Sequence, residues 1–280
     1  MQTVTTIEAL RAQVSVWRRQ NLRIAFVPTM GNLHVGHLKL VSTARQQADK
    51  VVVSIFVNPT QFGPNEDFER YPRTEAADQQ QLETCHTDLL FLPTVETLYP
   101  RPSQTRISLP GLAALHCGQS RPGHFDGVAL VVCKLLNMVQ PDSLLMGEKD
   151  FQQLALIRQM VTDLNIPVEV HGVATMREAD GLAMSSRNGY LTTEQRQLAP
   201  RLYQALQTAR DQIQNAQSSD QSIIAEQIAT LTAAGFAVDY FSLSRSQDLL
   251  PATDTDTELV LLAAARLGNT RLIDNISFGR

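Results

Sequence analysis

The sequence predicts an α/β fold: a doubly wound parallel sheet followed by a smaller α+β domain. Three observations carry that expectation. Short apolar runs, RIAFV at Arg23–Val27 and VVVSIFV at Val51–Val57, read as strands buried on both faces, the pattern of a parallel sheet. Stretches with helical apolar spacing alternate with such runs, which is the order of βαβ units. Beyond about Thr175 the composition shifts to Gln- and Ala-rich helical stretches and then to strand candidates, the order of an α+β unit. The 280 residues suffice for two unequal domains.

Taken in order, Ile7–Gln20 places Ile7, Leu10, Val14 and Trp17 at helical spacing. Arg23–Val27 reads as a buried strand ended by Pro28. A polar turn then leads to a helix at about Gly36–Ala48, with Leu38, Val41, Ala44 and Ala48 on one side. Val51–Val57 is the second strand. The alternation continues through a helix at Thr74–His86, a strand at Asp88–Leu92 and a helix at Phe125–Val139. Ser143–Met146 reads as a strand, Asp150–Leu164 as a helix and Val168–Val173 as a strand. The spacing thus predicts a Rossmann-like first domain over residues 1–175. Residues 192–234 carry two helical stretches separated by NAQSSD, and strands are expected near Val238–Leu243, Glu258–Ala265 and Arg271–Asp274. These form the predicted second domain, residues 176–280, closing over the active site.

Composition narrows the function. The chain is 43% hydrophobic and 19% charged, with a formal net charge of −4, and no Lys/Arg run exceeds two residues. That argues against a nucleic-acid partner, which needs clustered cations. No apolar run approaches the roughly 18 residues of a membrane span, and the amphipathic N-terminus has no signal-peptide core. Cys85, Cys117 and Cys133 are odd in number and lack CxxC spacing, which fits neither a disulfide framework nor a zinc site. A cytoplasmic enzyme is expected.

The chemistry centres on Pro28-Thr-Met-Gly-Asn-Leu-His34-Val-Gly36-His37. Its core, HxGH, lies between a buried strand and a helix start, where backbone N–H groups bind anions and where such folds place ligands. Gly36 leaves the backbone open to a nucleotide. Two imidazoles three residues apart can face one phosphate and stabilise charge on it. Read structurally, the same pair is a set of capping or packing histidines.

VPTMGNLHVGH resembles the ATP-binding signature of the pantothenate synthetase family, within the wider HxGH nucleotidyltransferases. Four further segments resemble the same family: SIFVNPTQF at Ser54–Phe62, YPRT at Tyr71–Thr74, GEKDFQQL at Gly147–Leu154 and DGLAMSSRNGY at Asp180–Tyr190. With RPGHF at Arg121–Phe125 and LIDN at Leu272–Asn275, the likeness runs nearly end to end. It implies that Met30, Gly31, Asn32, Leu33, His34, Val35, Gly36 and His37 hold ATP. Gly147, Glu148, Lys149, Asp150, Met176, Met184, Ser185, Ser186 and Arg187 belong to the same implied ATP site. His37, His34 and Lys149 are the implied catalytic groups. Gln61 and Gln153, with Asn58, are the implied contacts for pantoate and β-alanine; a neutral amide both donates and accepts.

The implied reaction condenses pantoate with β-alanine through pantoyl-adenylate, releasing AMP and pyrophosphate. ATP is a substrate, Mg²⁺ rides on its phosphates, and the resemblance implies a homodimer. Asp78 is a candidate to help with the metal, but Ala77 stands where a second carboxylate would be useful, so no protein-built metal site is expected. His86, His116, His124 and His171 receive no role. From the residues alone Lys149 and Asp150 also read as surface charges, MSSR as a polar loop and Asn58-Pro59 as a turn. Two rival functions remain open at this point: nucleotide transfer to a phosphorylated acceptor, and a regulatory module that binds nucleotide without turnover.

Overall fold

Strands apolar along their whole length need cover on both faces, and the chain supplies it. The structure, a computed structural model, describes residues 1–64, 66–216 and 218–280. The first sheet contains β1 (Gln2–Val4), β2 (Ile24–Thr29), β3 (Lys50–Ile55), β4 (Leu89–Phe91), β5 (Ser143–Gly147) and β6 (Glu169–Val173). All pairings are parallel, in the order β1-β4-β3-β2-β5-β6. Between the strands lie α1 (Ile7–Arg19), α2 (Val35–Gln47), α3 (Glu75–Thr84), α4 (Val95–Leu98), α5 (Pro110–Ala113), α6 (Cys117–Ser120), α7 (His124–Val139) and α8 (Phe151–Asp163).

Strand alternation sorts the core. Ile24, Phe26, Val52, Phe91 and Leu144 pack with Leu10 and Val14 of α1, Val128 and Leu135 of α7, and Ile157 of α8. Ala25, Val27, Val51, Val53, Leu90 and Leu145 pack on the other face with Leu40, Val41 and Ala44 of α2 and Leu82 of α3. Each large side chain buried in this way contributes about 1.5–3 kcal/mol.

Every strand expected from the sequence is present, with ends shifted by a few residues. β2 runs through Pro28 to Thr29. This is tolerated because β5 pairs with β2 only opposite Ala25 and Phe26, leaving a half-open edge beyond, where a missing N–H is least costly. The helix expected from Asp150 starts at Phe151, after a 3₁₀ turn over Glu148–Asp150. β1 was not expected: three residues are too short to show a period.

The chain after β6 forms α9 (Thr193–Leu198), α10 (Arg201–Gln214) and α11 (Asp220–Ala233). Three helices therefore replace the expected two, with Pro200 between the first pair. β7 (Ala237–Arg245), β8 (Glu258–Leu267) and β9 (Thr270–Gly279) make an antiparallel sheet in the order β7-β8-β9. Leu202, Leu206, Ile223 and Leu231 of α10 and α11 cover one face, against Phe241, Leu261 and Ala263. The other face, through Val260 and Leu262, meets Leu112, Leu115 and Phe151 from the first part of the chain. The two sheets are thus joined by apolar contact. Among the described residues no helix is long and apolar enough to cross a membrane.

Candidate active site

β2 has β3 on one side and β5 on the other, so the strand order reverses there. The crevice at the carboxyl ends of those two strands is where open α/β sheets bind ligands. The HxGH segment leaves β2 into it. His34 is the N-cap of α2, and its Nδ1 accepts the Gly36 N–H at 3.1 Å. The Nδ1 of His37 accepts the His34 N–H at 3.3 Å. The ring centroids lie 4.1 Å apart. Each Nδ1 is therefore an acceptor, so a neutral ring carries its proton on Nε2. Both rings are held neutral. Burial, then the charge of Lys149, lowers the pKa of His34, and burial, with neighbouring His34, lowers that of His37 to about 3. The capping reading and the phosphate-facing reading are thus one arrangement: capping orients two Nε2–H donors.

Gly36 has a local reason to be glycine. A Cβ there would stand 2.9 Å from Cε1 of His34, so the imidazole itself excludes a side chain. Asp78, 1% exposed, accepts the N–H groups of Asn32 and Leu33 at 2.9 and 2.8 Å and the Thr74 hydroxyl at 3.1 Å. That carboxylate holds the loop from beneath and is committed to it, which removes Asp78 as a metal candidate.

The acid-site candidates gather at the next strand end. Asn58 caps the 3₁₀ turn Pro59–Gln61. Its Nδ2 donates to Gln61 Oε1 at 3.0 Å and to the Gly127 carbonyl at 3.2 Å, and its Oδ1 accepts from Thr60 Oγ1 and Tyr99 Oη. Gln61 Nε2 rests on Met30 Sδ at 3.2 Å. His124 Nδ1 meets the Gln61 carbonyl at 2.8 Å and its Nε2 meets Arg121 at 2.9 Å. Arg121 can only donate, so the proton sits on Nδ1 and His124 bolts the Gln61 backbone in place. Burial and the Arg121 charge push the pKa of His124 down to about 4. RPGHF was visible in the sequence without a role; this is where it acts.

The third wall comes from GEKD and MSSR, braced by the C-terminal sheet. Asn275 of β9 donates to the carbonyls of Glu148 and Lys149, each at 2.9 Å. Its neighbour Asp274 takes Arg177 at 2.6 and 2.9 Å. Ser185 caps the 3₁₀ turn Ser186–Tyr190, Ser186 Oγ donates to the Asn32 carbonyl at 3.1 Å, and Arg187 pairs with Asp67 through two bonds of 3.0 Å. Arg177 and Asp67 lie outside the motifs quoted from the sequence, while Asp274 (in LIDN) and Gln152 (in GEKDFQQL) lie inside them but received no role. Gln152, beside the candidate Gln153, holds the carbonyls of Leu112 and Leu115 at 2.8 Å.

These walls enclose a cavity of about 230 Å³. Met30, His34, Gly36, His37, Gly147, Lys149, Asp150, Met176, Met184, Ser185, Ser186 and Arg187 line it, together with Asn58, Gln61 and Gln153. Gly31, Asn32, Leu33, Val35 and Glu148 do not: Leu33 is buried in the core, Val35 is exposed, and Glu148 lies against Gly172. A second cavity of about 440 Å³ adjoins it through Lys149, Asp150, Ser185 and Arg187, between the two sheets. Among the described residues, the one ion contact of Lys149 Nζ is with Asp150 at 3.9 Å, so its charge is available to an anion.

The family model described as Pantoate-beta-alanine ligase matches residues 2–277. The chain is 56% identical to a pantothenate synthetase of Pseudomonas putida over 99% of its length and 97% of that protein. It is 54% identical to one of Pseudomonas aeruginosa over 99% of each. The structure matches the crystal structure of pantothenate synthetase from Thermus thermophilus with a TM-score of 0.93, at 46% identity over 99% of both chains. It matches pantoate-beta-alanine ligase from Francisella tularensis, complexed with beta-gamma ATP and beta-alanine, with a TM-score of 0.84, at 35% identity over 99% and 97%.

Proposed function

The chain belongs to the pantoate-beta-alanine ligase family, and from that premise we propose that it condenses pantoate with β-alanine at the expense of ATP, through pantoyl-adenylate. A pantoate carboxylate oxygen attacks the α-phosphorus, the bond to the β-phosphate breaks, and pyrophosphate leaves. The β-alanine nitrogen then attacks the acyl carbon, AMP departs, and the amine loses a proton. One observation carries the reading: two neutral Nε2–H donors, the Lys149 ammonium and two glutamine amides line one cavity. In this reading His34 and His37 meet the charge developing on the α-phosphate, Lys149 pairs with the triphosphate, and Gln61 and Gln153 orient pantoate. Asn58 acts by fixing Gln61.

Residues 1–175 serve as the ATP- and pantoate-binding domain and residues 176–280 as the domain that closes over it. The position of MSSR across from HxGH supports that division. Asp150 is the one carboxylate lining the smaller cavity among the described residues, a donor set that suits Mg²⁺ carried by phosphates rather than caged by protein. Such an ion would offset phosphate charge, with Asp150 available to it. A cytoplasmic homodimer completes the proposal.

The test is pyrophosphate exchange. With ATP, Mg²⁺ and pantoate, and no β-alanine, labelled pyrophosphate should enter ATP. β-Alanine without pantoate should support none. Release of ADP, or pantoate-independent exchange, would refute the adenylate route. A stable dinucleotide formed with a phosphorylated acceptor would move the enzyme to nucleotide transfer.

A further inference from the structure

The loop between Phe62 and Thr74 carries two acidic neighbours, each holding an arginine from a different part of the chain. Glu66 takes Arg121 at 2.6 and 2.5 Å, and Asp67 takes Arg187 at 3.0 and 3.0 Å. The Asp67 pair is only part-exposed, at 30% for Arg187 and 17% for Asp67. Burial raises the Asp67 pKa, but the Arg187 hydrogen bonds and charge outweigh it and hold the carboxyl below its ordinary range. Arg187 stands at the junction of the two cavities, while Asp67 lines only the larger. The carboxylate therefore reaches the guanidinium from the larger cavity, beside the junction.

We propose that Asp67 is a place-holder for phosphate: it pairs with Arg187 in the empty site, yields it to the phosphates of ATP, and reclaims it as pyrophosphate leaves. The inference rests on the reading of Arg187 as a phosphate contact. A half-buried guanidinium without a partner is costly, and a bidentate carboxylate removes that cost. The same carboxylate then competes with the anion. A guanidinium with no competitor would grip pyrophosphate tightly, and product release would slow turnover. Asp67 is thus a positioning residue that trades affinity for release.

The experiment is product inhibition by inorganic pyrophosphate on the full chain. Asp67→Asn keeps the shape and removes the charge, so the inhibition constant for pyrophosphate should fall roughly tenfold, the change given by about 1.4 kcal/mol. Asp67→Glu should restore most of the wild-type value. Asp67→Ser repeats the test should the asparagine variant fold poorly. In an Arg187→Ala background the Asp67→Asn effect should vanish, because the competitor has nothing left to compete for. An unchanged or raised inhibition constant in Asp67→Asn, or the same fall with Arg187 absent, overturns the inference. Arg187→Ala alone separates the two readings. If it leaves both the ATP KM and the pyrophosphate constant untouched, the phosphate role of Arg187 fails, and the place-holder with it. If it weakens both while Asp67→Asn does nothing, only the place-holder fails.

Discussion

Gly127→Ala should damage pantoate use from outside the cavity. Gly127 sits in the first turn of α7, against the 3₁₀ turn that carries Gln61. A Cβ built there would lie 2.3 Å from the Thr60 carbonyl oxygen, 2.5 Å from its carbon and 2.8 Å from the Gln61 nitrogen. A carbon normally approaches such an oxygen no closer than about 3.3 Å, so helix and turn must part by about 1 Å. The turn is the softer partner, and the Gln61 amide moves with it. Overpacking of this kind costs about 1–3 kcal/mol of stability, and a misplacement of about 1 Å at a substrate contact can cost about 10²-fold in rate. The assay is steady-state kinetics with pantoate and ATP varied separately, alongside thermal melts. The expected result is a kcat/KM for pantoate down by about 10²-fold, with the ATP KM less affected because Asp78 anchors the HxGH loop independently. A folded variant with wild-type kcat/KM for pantoate, or a defect confined to ATP, would refute the reasoning.

Three further changes test other parts of the site. His37→Ala removes one Nε2–H donor and should lower adenylate formation by about 10²–10³-fold with the fold intact; wild-type turnover would sink the assignment. Burial holds His37 at about 3 and His124 at about 4, against 6.5 for a free imidazole. Below pH 6.5 the unfolded chain therefore takes up protons that the fold does not. The stability from these neutral rings is whole above pH 6.5 and is lost as pH falls towards 4 and 3, by up to about 1.4 kcal/mol per pH unit for each ring. Urea midpoints should show a shallower slope between pH 6.5 and 4 in His124→Gln than in wild type; equal slopes would contradict the buried neutral ring. Asn275→Ala removes the side-chain donor shared by the Glu148 and Lys149 carbonyls, each bond worth about 0.5–1.5 kcal/mol, and should raise the ATP KM; an unaltered ATP KM would show that β9 does not set the GEKD turn.

The first sheet was legible because its strands are continuous apolar runs between helical repeats, a pattern set by burial on both faces. β1 was not, since Gln2–Val4 gains its strand character from pairing with β4 rather than from its own composition. Pro200 could have been read as the break between α9 and α10; the Gln-rich periodicity on both sides masked it. At the cavity, the strand-end motifs marked Met30, His34, Gly36 and His37, then Gly147, Lys149 and Asp150, then Met184–Arg187 as residues that lie together, because their spacing is local. What the braces hold could not be seen, although Asp78 and Asn275 were both in view. Asp78 reaches Asn32 and Leu33 across 45 or more residues, and Asn275 reaches Lys149 across 126. An isolated carboxylate or amide in a sequence carries no sign of which backbone it will hold.

Those braces explain how the charges are divided. The groups with fixed direction are neutral: two imidazoles locked by backbone N–H groups and Gln61, tied by Asn58 and His124. The cations, Lys149 and Arg187, sit on segments braced from the far sheet by Asn275 and by the Arg177–Asp274 pair. A neutral donor gains most where charge develops at one oxygen and its geometry is preset. A cation binds any phosphate oxygen nearby and follows an anion as it moves. Placing the neutral donors at the β2 and β3 strand ends and the cations on segments held by β9 puts discrimination in the rigid sheet. In the proposed reaction the grip on pyrophosphate then belongs to the part of the structure that joins the two sheets, and contacts between β9 and GEKD are expected to act on nucleotide binding before they act on the fold of either sheet.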